Sequence, residues 1–292
     1  MRLNQKRKLT RIRSMKFQFS FDLARAALLA SCVALLLACE STPTKRETSI
    51  AERERRDQAL AMWKGKCNKA GEFIYERAEG VDGIFLMNVR VGSNFDDQYR
   101  MDDPYGNDLD GDGYIGSFIR GNYAYANKSP LPDGWPPHTG YRFVEVRDPR
   151  DGKMYRYTGR VIEPWLTDKS YLKGYLKFVL DRESIKVRST RYGVRFDDIS
   201  TREERDNWIA GSSLKVIDLD REKVVAERVG YMVDWAQGSR AGGRSPWLFA
   251  AENACPEFDR DFPVASRLKS HKNRNQFYQT ERFVEKVLKP AN

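Results

Sequence analysis

The middle of the chain alternates apolar and polar residues with a period of two, which is typical of half-buried β-strands. Tight turns separate neighbouring runs: Asp148-Pro149-Arg150-Asp151-Gly152 lies between one pair and Asp220-Arg221-Glu222 between another. The runs cover 73–75, 83–91, 141–147, 154–161, 213–219 and 223–233, with a further turn at 80–83. This pattern predicts antiparallel hairpins.

Helical patterns are sparser than strand patterns. Residues 49–64 are rich in helix formers and lead to Cys67. Further short helices are predicted from a capping box at Ser200–Glu203 through Trp208, from Ser245-Pro246 over 247–253, and over 275–289. The predicted fold class is therefore α+β, an antiparallel β-rich domain with a few short helices.

The N-terminal segment has the parts of an export signal in the expected order. Eight basic residues and one acidic residue precede an apolar run from Ala26 to Ala38. This run is shorter than the roughly 20 residues that a membrane-spanning helix needs. It ends in Leu36-Leu37-Ala38-Cys39. This tetrad resembles the lipobox of bacterial lipoprotein precursors, in which the cysteine receives a diacylglycerol and becomes the N-terminus after cleavage.

The resemblance implies a domain organisation and a location. Residues 1–38 would be the signal peptide, 39–48 a lipidated N-terminus with a flexible polar tether, and 49–292 a single β-rich domain on the periplasmic side. Cys39 would attach the protein to the membrane through its lipid. Glu40 is not the aspartate that commonly marks inner-membrane retention in enterobacterial lipoproteins, so the resemblance implies the outer membrane.

Removal of the signal changes the charge of the chain. The full sequence has 51 Lys and Arg against 41 Asp and Glu, a net charge of +10. From residue 39 onward, 43 basic and 40 acidic residues remain. The excess charge that would favour nucleic acid therefore belongs mostly to the discarded segment. The sequence predicts no nucleic-acid partner.

The cysteines form one remaining pair after export. Cys32 leaves with the signal and Cys39 carries the lipid, so Cys67 and Cys255 are left. A pair of cysteines in an oxidising compartment favours a disulfide, although two separate buried thiols are an alternative. The disulfide would join the start of the folded domain to its last third.

An acidic segment is the densest chemical signal. Residues 96–112 contain seven aspartates, offset by Arg100 alone, and 108–115 matches the first eight positions of an EF-hand-type calcium loop. The calcium ligands would be the side chains of Asp108, Asp110 and Asp112 and the carbonyl of Tyr114. The twelfth position holds Ile119 instead of glutamate. A turn rich in Asp and Gly is the alternative interpretation.

A lysine–tyrosine pattern from Lys169 to Phe178 is the second candidate. On a strand, Lys169, Tyr171, Lys173, Tyr175 and Lys177 would share one face. A cationic aromatic face suits glycan, lipopolysaccharide phosphate or the acidic surface of an envelope protein. The alternative is a solvated strand face, protected from edge pairing by its lysines.

A glycine-rich segment over 237–247 is the third candidate. Backbone amides beside Arg240, Gly242, Gly243 and Arg244 could hold a phosphate or carboxylate ahead of the predicted helix. The sequence is not a P-loop, because the Gly-Lys-Ser/Thr ending is missing. A purely structural loop is the alternative.

Two hypotheses for function follow. The chain has only His138 and His271 and no Gly-x-Ser-x-Gly elbow. The first hypothesis is a non-catalytic envelope lipoprotein that binds an envelope protein or glycan, or helps an assembly. The second is a hydrolase acting on cell-wall or surface glycan through paired carboxylates.

Overall fold

The computed structural model describes residues 45–90, 92, 97–101, 109–120, 140–258 and 278–291. The chain divides into two compact units, 1–52 and 53–292. In the first unit the described residues, 45–52, are helical. The second unit contains the whole of the sheet structure described below. None of the helices in the described ranges combines the length and apolarity that a membrane crossing requires.

The described residues contain five α-helices, of which α1 is the longest with 23 residues, and eleven strands. The α-helices are α1 (Lys45–Cys67), α2 (Gly111–Arg120), α3 (Arg202–Asp206), α4 (Pro246–Ala250) and α5 (Gln279–Val287). The strands are β1 (Gly71–Ile74), β2 (Ala78–Val81), β3 (Gly83–Leu86), β4 (Phe143–Arg147), β5 (Met154–Ile162), β6 (Lys177–Ile185), β7 (Tyr192–Asp198), β8 (Ile209–Asp218), β9 (Lys223–Val233), β10 (Ala254–Cys255) and β11 (Leu288–Pro290). Short 3₁₀ turns cover Pro164–Leu166, Ala241–Gly243 and Ala251–Asn253.

Nine strands form one twisted sheet in the order β1-β9-β8-β7-β3-β4-β5-β6, with β10 paired to β9. The long hairpins β4–β5, β5–β6 and β8–β9 are antiparallel. In contrast, β3 runs parallel to both β4 and β7, and β11 pairs parallel with β2 in a separate two-stranded sheet. The predicted α+β class is confirmed, but the main sheet is mixed.

Two helices cover one face of the sheet and enclose the main core. Tyr114 and Phe118 of α2 are almost fully buried, with ring centroids 5.3 Å apart in an edge-on arrangement. Phe283 and Val284 of α5 belong to the same cluster. These residues lie at helical spacing on one side of each helix, and burial of that side is what stabilises such short helices.

The predicted disulfide between Cys67 and Cys255 is present, with the two Cα atoms 5.5 Å apart. It joins the end of α1 to β10, across 188 residues of sequence. Ala59 of α1 packs in a small core with Ile209 and Val233, next to the disulfide. The covalent bond and this core therefore attach the helix to strands β8 and β9.

The β8–β9 hairpin ends in a four-residue connection that one buried carboxylate organises. Asp218 is fully buried and accepts hydrogen bonds from the backbone N–H groups of Asp220 and Arg221, both at 3.2 Å. Its side chain also pairs with the guanidinium groups of Arg191 at 2.6 Å and Arg221 at 2.7 Å. These contacts, the Arg191 hydrogen bond above all, hold the pKa of Asp218 far below its usual range.

Several boundaries predicted from the sequence were wrong. The strand predicted over 83–91 stops at Leu86, because the Asn88 side chain takes the place of a strand backbone. Its amide donates to the Phe196 carbonyl at 2.7 Å and accepts the Phe196 N–H at 3.1 Å. The capping box is one residue later than predicted and joins Thr201 to Glu204.

Two further elements differ from the prediction. Of the turn predicted at 80–83, Gly80 and Val81 end β2, which pairs with β11, and Gly83 begins β3. Strand β11 replaces the end of the helix predicted over 275–289. Residues 111–115, the second part of the segment predicted as a calcium loop or an Asp- and Gly-rich turn, lie in helix α2. Burial of Tyr114, Ile115 and Phe118 against the sheet explains this helix.

Candidate binding surface

The connection between β5 and β6 is the most exposed apolar part of the described structure. It spans 14 residues, 163–176, whereas hairpin connections commonly have two to five. Leu166 is 65% exposed and Leu172 is 82% exposed. We call seven of its eight aromatic, leucine and lysine side chains, all but Leu176, the loop surface: Trp165, Leu166, Lys169, Tyr171, Leu172, Lys173 and Tyr175.

Hydrogen bonds within the connection give the loop surface its shape. The Glu163 carboxylate accepts the N–H of Gly174 at 2.6 Å and so ties the two ends of the loop together. Asp168 accepts the N–H of Ser170 at 2.9 Å, and this bond lowers the pKa of the Asp168 carboxyl. Gly174 has a φ of +81°, which favours glycine. The acidic side chains of the loop therefore bind its own backbone.

Aromatic rings and lysines pack together on the loop surface. The Lys169 ammonium lies 3.5 Å from the centre of the Trp165 ring, and Lys173 lies 5.1 Å from the same ring. Tyr171 and Tyr175 stack in nearly parallel planes, with centroids 6.0 Å apart. The loop thus presents ammonium groups, aromatic edges and two leucines to its surroundings.

The strand predicted over Lys169 to Phe178 was wrong for its first half. Four residues of a strand span about 13 Å, so the stacked pair Tyr171 and Tyr175 cannot belong to one. Pro164, the Asp168 turn and Gly174 bend the chain instead. Lys177 starts β6, opposite Ile162, and lies at the base of the loop surface. The structure therefore brings Lys173 and Tyr175 together but in a loop, with Leu172 exposed beside them.

In the glycine-rich loop, the side chain of Arg244 makes structural contacts. Arg244 binds Asp234 through both of its terminal nitrogens and donates to the Ser239 carbonyl at 2.8 Å. Asp234 is fully buried and accepts the N–H of Gly238 at 2.8 Å. Arg244 thus neutralises a buried carboxylate, and its ligand-binding role stays a prediction.

The other predicted residues of this loop are exposed. Arg240 precedes a 3₁₀ turn in which Gly242 and Gly243 have φ values of +68° and +77°. The helix that follows, α4, has only five residues. The ligand-binding role of Arg240, Gly242 and Gly243 stays a prediction.

The acidic segment contributes to a cavity of about 580 Å³ at the start of α2. Asp110 and Asp112 line it from one side, and Asp148 and Arg150 line it from the β4–β5 turn. The Tyr114 carbonyl accepts the Ser117 hydroxyl at 2.8 Å inside the helix. Asp108 lies outside the described residues, so calcium binding by this segment stays a prediction. Among the described residues, no three His, Cys, Asp or Glu side chains converge as a metal site.

Asp148 is held as an anion in the cavity wall. Its side chain is 3% exposed and binds the Arg150 guanidinium through two nitrogens, with Nη2 at 2.6 Å. This hydrogen bonding, assisted by the charge of Arg182, lowers the pKa of Asp148 to about 2. A general acid must keep its proton near the working pH. Asp148 therefore does not have the protonation state that acid catalysis requires.

Sequence reasoning missed part of the loop surface. Trp165 and Leu166 were not singled out, and Leu172 was expected on the face opposite the lysines. The available signal was the run from Pro164 to Gly174, in which a proline and a glycine bracket apolar residues between two strands. Cys39, the predicted lipidation site, lies outside the described residues.

Comparison with known proteins gives no relative for this fold and surface. No family model, no curated protein and no solved structure matches the chain.

Proposed function

We propose that this chain is a lipid-anchored protein of the bacterial cell envelope whose β-rich domain is a non-catalytic binding module. The anchor is Cys39, the predicted lipidated residue after a signal peptide of residues 1–38. The expected location is the outer membrane, with the domain in the periplasm. The contact region is the loop surface.

The exposure of the loop surface carries this proposal. Leu172 is 82% exposed and lies beside exposed Tyr171. Folding buries little of its apolar area, so that area is available to a partner. Its loop is nevertheless ordered by bonds such as that from Gly174 to Glu163. A preorganised apolar surface loses little conformational entropy on binding.

The disulfide adds support for the compartment. Cys67 and Cys255 are bonded, and such bonds persist in oxidising environments such as the periplasm. The alternative hypothesis, a hydrolase acting on glycan through paired carboxylates, would need a general acid other than Asp148, which is held as an anion.

In-cell photo-cross-linking tests the proposed function. A photoreactive amino acid would replace Leu172 in the full chain, and the matched control would carry it at Val187, which is 77% exposed in the connection between β6 and β7. We expect adducts to an envelope component from position 172 only. Equal adducts from both positions would contradict a contact role for the loop surface.

The anchor is tested in the same cells by Cys39→Ala. We expect the parent protein to carry a lipid, seen as a mass increase on its N-terminal peptide, and to fractionate with membranes. The variant should lose the lipid and be recovered largely in the soluble periplasmic fraction. An unmodified Cys39 in the parent would refute the lipoprotein assignment directly.

A further inference from the structure

The loop surface has a composition and a shape that select one kind of partner. Resting on the proposed function, in which the protein is held beside a membrane, we infer that the loop surface docks on an anionic lipid bilayer. Leu166 and Leu172 insert among the acyl chains, while Lys169 and Lys173 meet lipid phosphates. The lipid anchor and the loop surface would then be two separate attachments to the same membrane.

The leucines are placed for insertion. Leu172 is 82% exposed and Leu166 is 65% exposed, so both side chains stand out from the surface instead of lining a groove. A folded protein partner would need a matching pocket for each. A bilayer deforms around protruding apolar groups, and burial of each leucine contributes in proportion to its area.

The lysines are placed for phosphate contacts. Both side chains are exposed, and their ammonium groups lie 3.5 and 5.1 Å from the centre of the Trp165 ring, where Lys169 also donates to the Trp165 carbonyl at 2.8 Å. The two carboxylates of the loop bind the N–H groups of Gly174 and Ser170, so they are directed at the backbone. Positive charge for lipid phosphates comes from three exposed lysines: Lys169 and Lys173 of the loop and Lys177 at its base. Tryptophan, tyrosine and lysine around leucines is also the composition of a membrane–water interface.

A sugar ligand fits the same residues less well. Stacking of a sugar needs a free aromatic face. Tyr171 and Tyr175 cover a face of each other, and lysines cover Trp165. The two exposed leucines suit lipid better than a sugar.

Vesicle co-sedimentation tests the inference with the chain from residue 40, which retains the whole compact unit of 53–292 and lacks the anchor. The vesicles would contain phosphatidylglycerol in phosphatidylcholine, with pure phosphatidylcholine for comparison. We expect binding that is stronger with phosphatidylglycerol and that weakens as salt rises. Leu172→Glu should weaken it about tenfold or more. Lys169→Glu with Lys173→Glu should weaken it similarly and flatten the salt dependence.

Two matched variants act as controls. Val187→Glu makes the same exposed apolar-to-acid change elsewhere, and Lys153→Glu with Lys186→Glu makes the same change in net charge. We expect both controls to bind vesicles like the parent. Equal losses in test and control variants, or no binding to phosphatidylglycerol vesicles, would overturn the inference. If position 172 cross-links a protein in cells while vesicles are not bound, the inference fails and the proposed function stands.

Discussion

The β8–β9 and β5–β6 hairpins use the same pairing but end in very different ways. The first turns in four residues, and its buried Asp218 binds Arg191, Arg221 and the turn backbone. The second takes 14 residues to turn and leaves Leu172 82% exposed. In the first hairpin the described contacts of the connection hold a buried carboxylate and the turn backbone in place.

The difference separates stability from function within one sheet. Nine paired positions fix the register of β5 and β6, so the long connection is not needed to align the strands. Its internal bonds order the loop itself. We therefore expect changes at the β8–β9 end to cost stability and changes in the loop surface to cost binding only.

The largest expected effect is loss of the disulfide next to β8 and β9. Replacement of Cys67 and Cys255 by alanine should lower the free energy of unfolding by up to about 5 kcal/mol, because the unfolded chain regains a very long loop. Denaturant unfolding followed by circular dichroism measures this. Reduced parent protein should be as stable as the double variant. A loss below about 1 kcal/mol would show that the disulfide contributes little to the free energy of unfolding.

The second effect concerns the turn carboxylate. Asp218→Asn removes the buried charge that pairs with Arg191 and Arg221, so we expect a loss of about 2 kcal/mol in unfolding free energy. The control is Asp220→Asn, whose side chain is 59% exposed and pairs with Arg188 at 3.6 Å. This control should change stability by less than about 0.5 kcal/mol. Equal effects would refute the role of Asp218.

Acid sensitivity follows from the same carboxylates. The folded-state pKa values of Asp148, at about 2, and of Asp218 lie below the usual value near 3.9 for an unfolded chain. The contribution of these two carboxylates to the free energy of unfolding is therefore complete above about pH 5, and it is lost as the pH falls through about 4 to 2. The stability difference between the parent and Asp218→Asn should shrink over that interval. A constant difference, measured by urea unfolding at several pH values, would contradict this.

The smallest expected effect on stability is in the loop surface. Leu172→Glu should change the free energy of unfolding by less than about 0.5 kcal/mol, because the side chain is largely exposed in the folded state as well. Thermal and denaturant unfolding measure it, alongside the vesicle assay. A loss above about 2 kcal/mol would mean that Leu172 has a structural role, which would remove the contrast between the hairpins.

Local patterns predicted much of the sheet. Alternation and the tight polar turns located β4, β5, β9 and the second half of β8. The first half of β8 is buried on both faces and does not alternate. Local patterns could not predict the parallel pairing of β3 with β4 and β7, because it joins segments that are distant in the sequence. Helix α2 was missed because Asp-Gly pairs favour turns and only tertiary burial of Tyr114 and Phe118 makes the segment helical.

The candidate surface was predicted in composition but not in geometry. The lysine and tyrosine spacing of 169–177 fits a strand face, and alternation alone does not reveal that Asp168 and Gly174 bend the chain. The buried bond between Arg244 and Asp234 was equally invisible, because the two residues are ten apart and nothing local indicates their pairing. Long-range contacts decide which charged side chains remain available.

Hydrogen–deuterium exchange with and without phosphatidylglycerol vesicles tests the central contrast most directly. In the chain from residue 40, vesicles should slow exchange of backbone amides in residues 166–175 and leave those of residues 219–222, in the β8–β9 connection, unchanged. Such a local difference would identify the β5–β6 connection as the contact surface. Unchanged exchange in 166–175, or equal slowing at both connections, would contradict the account.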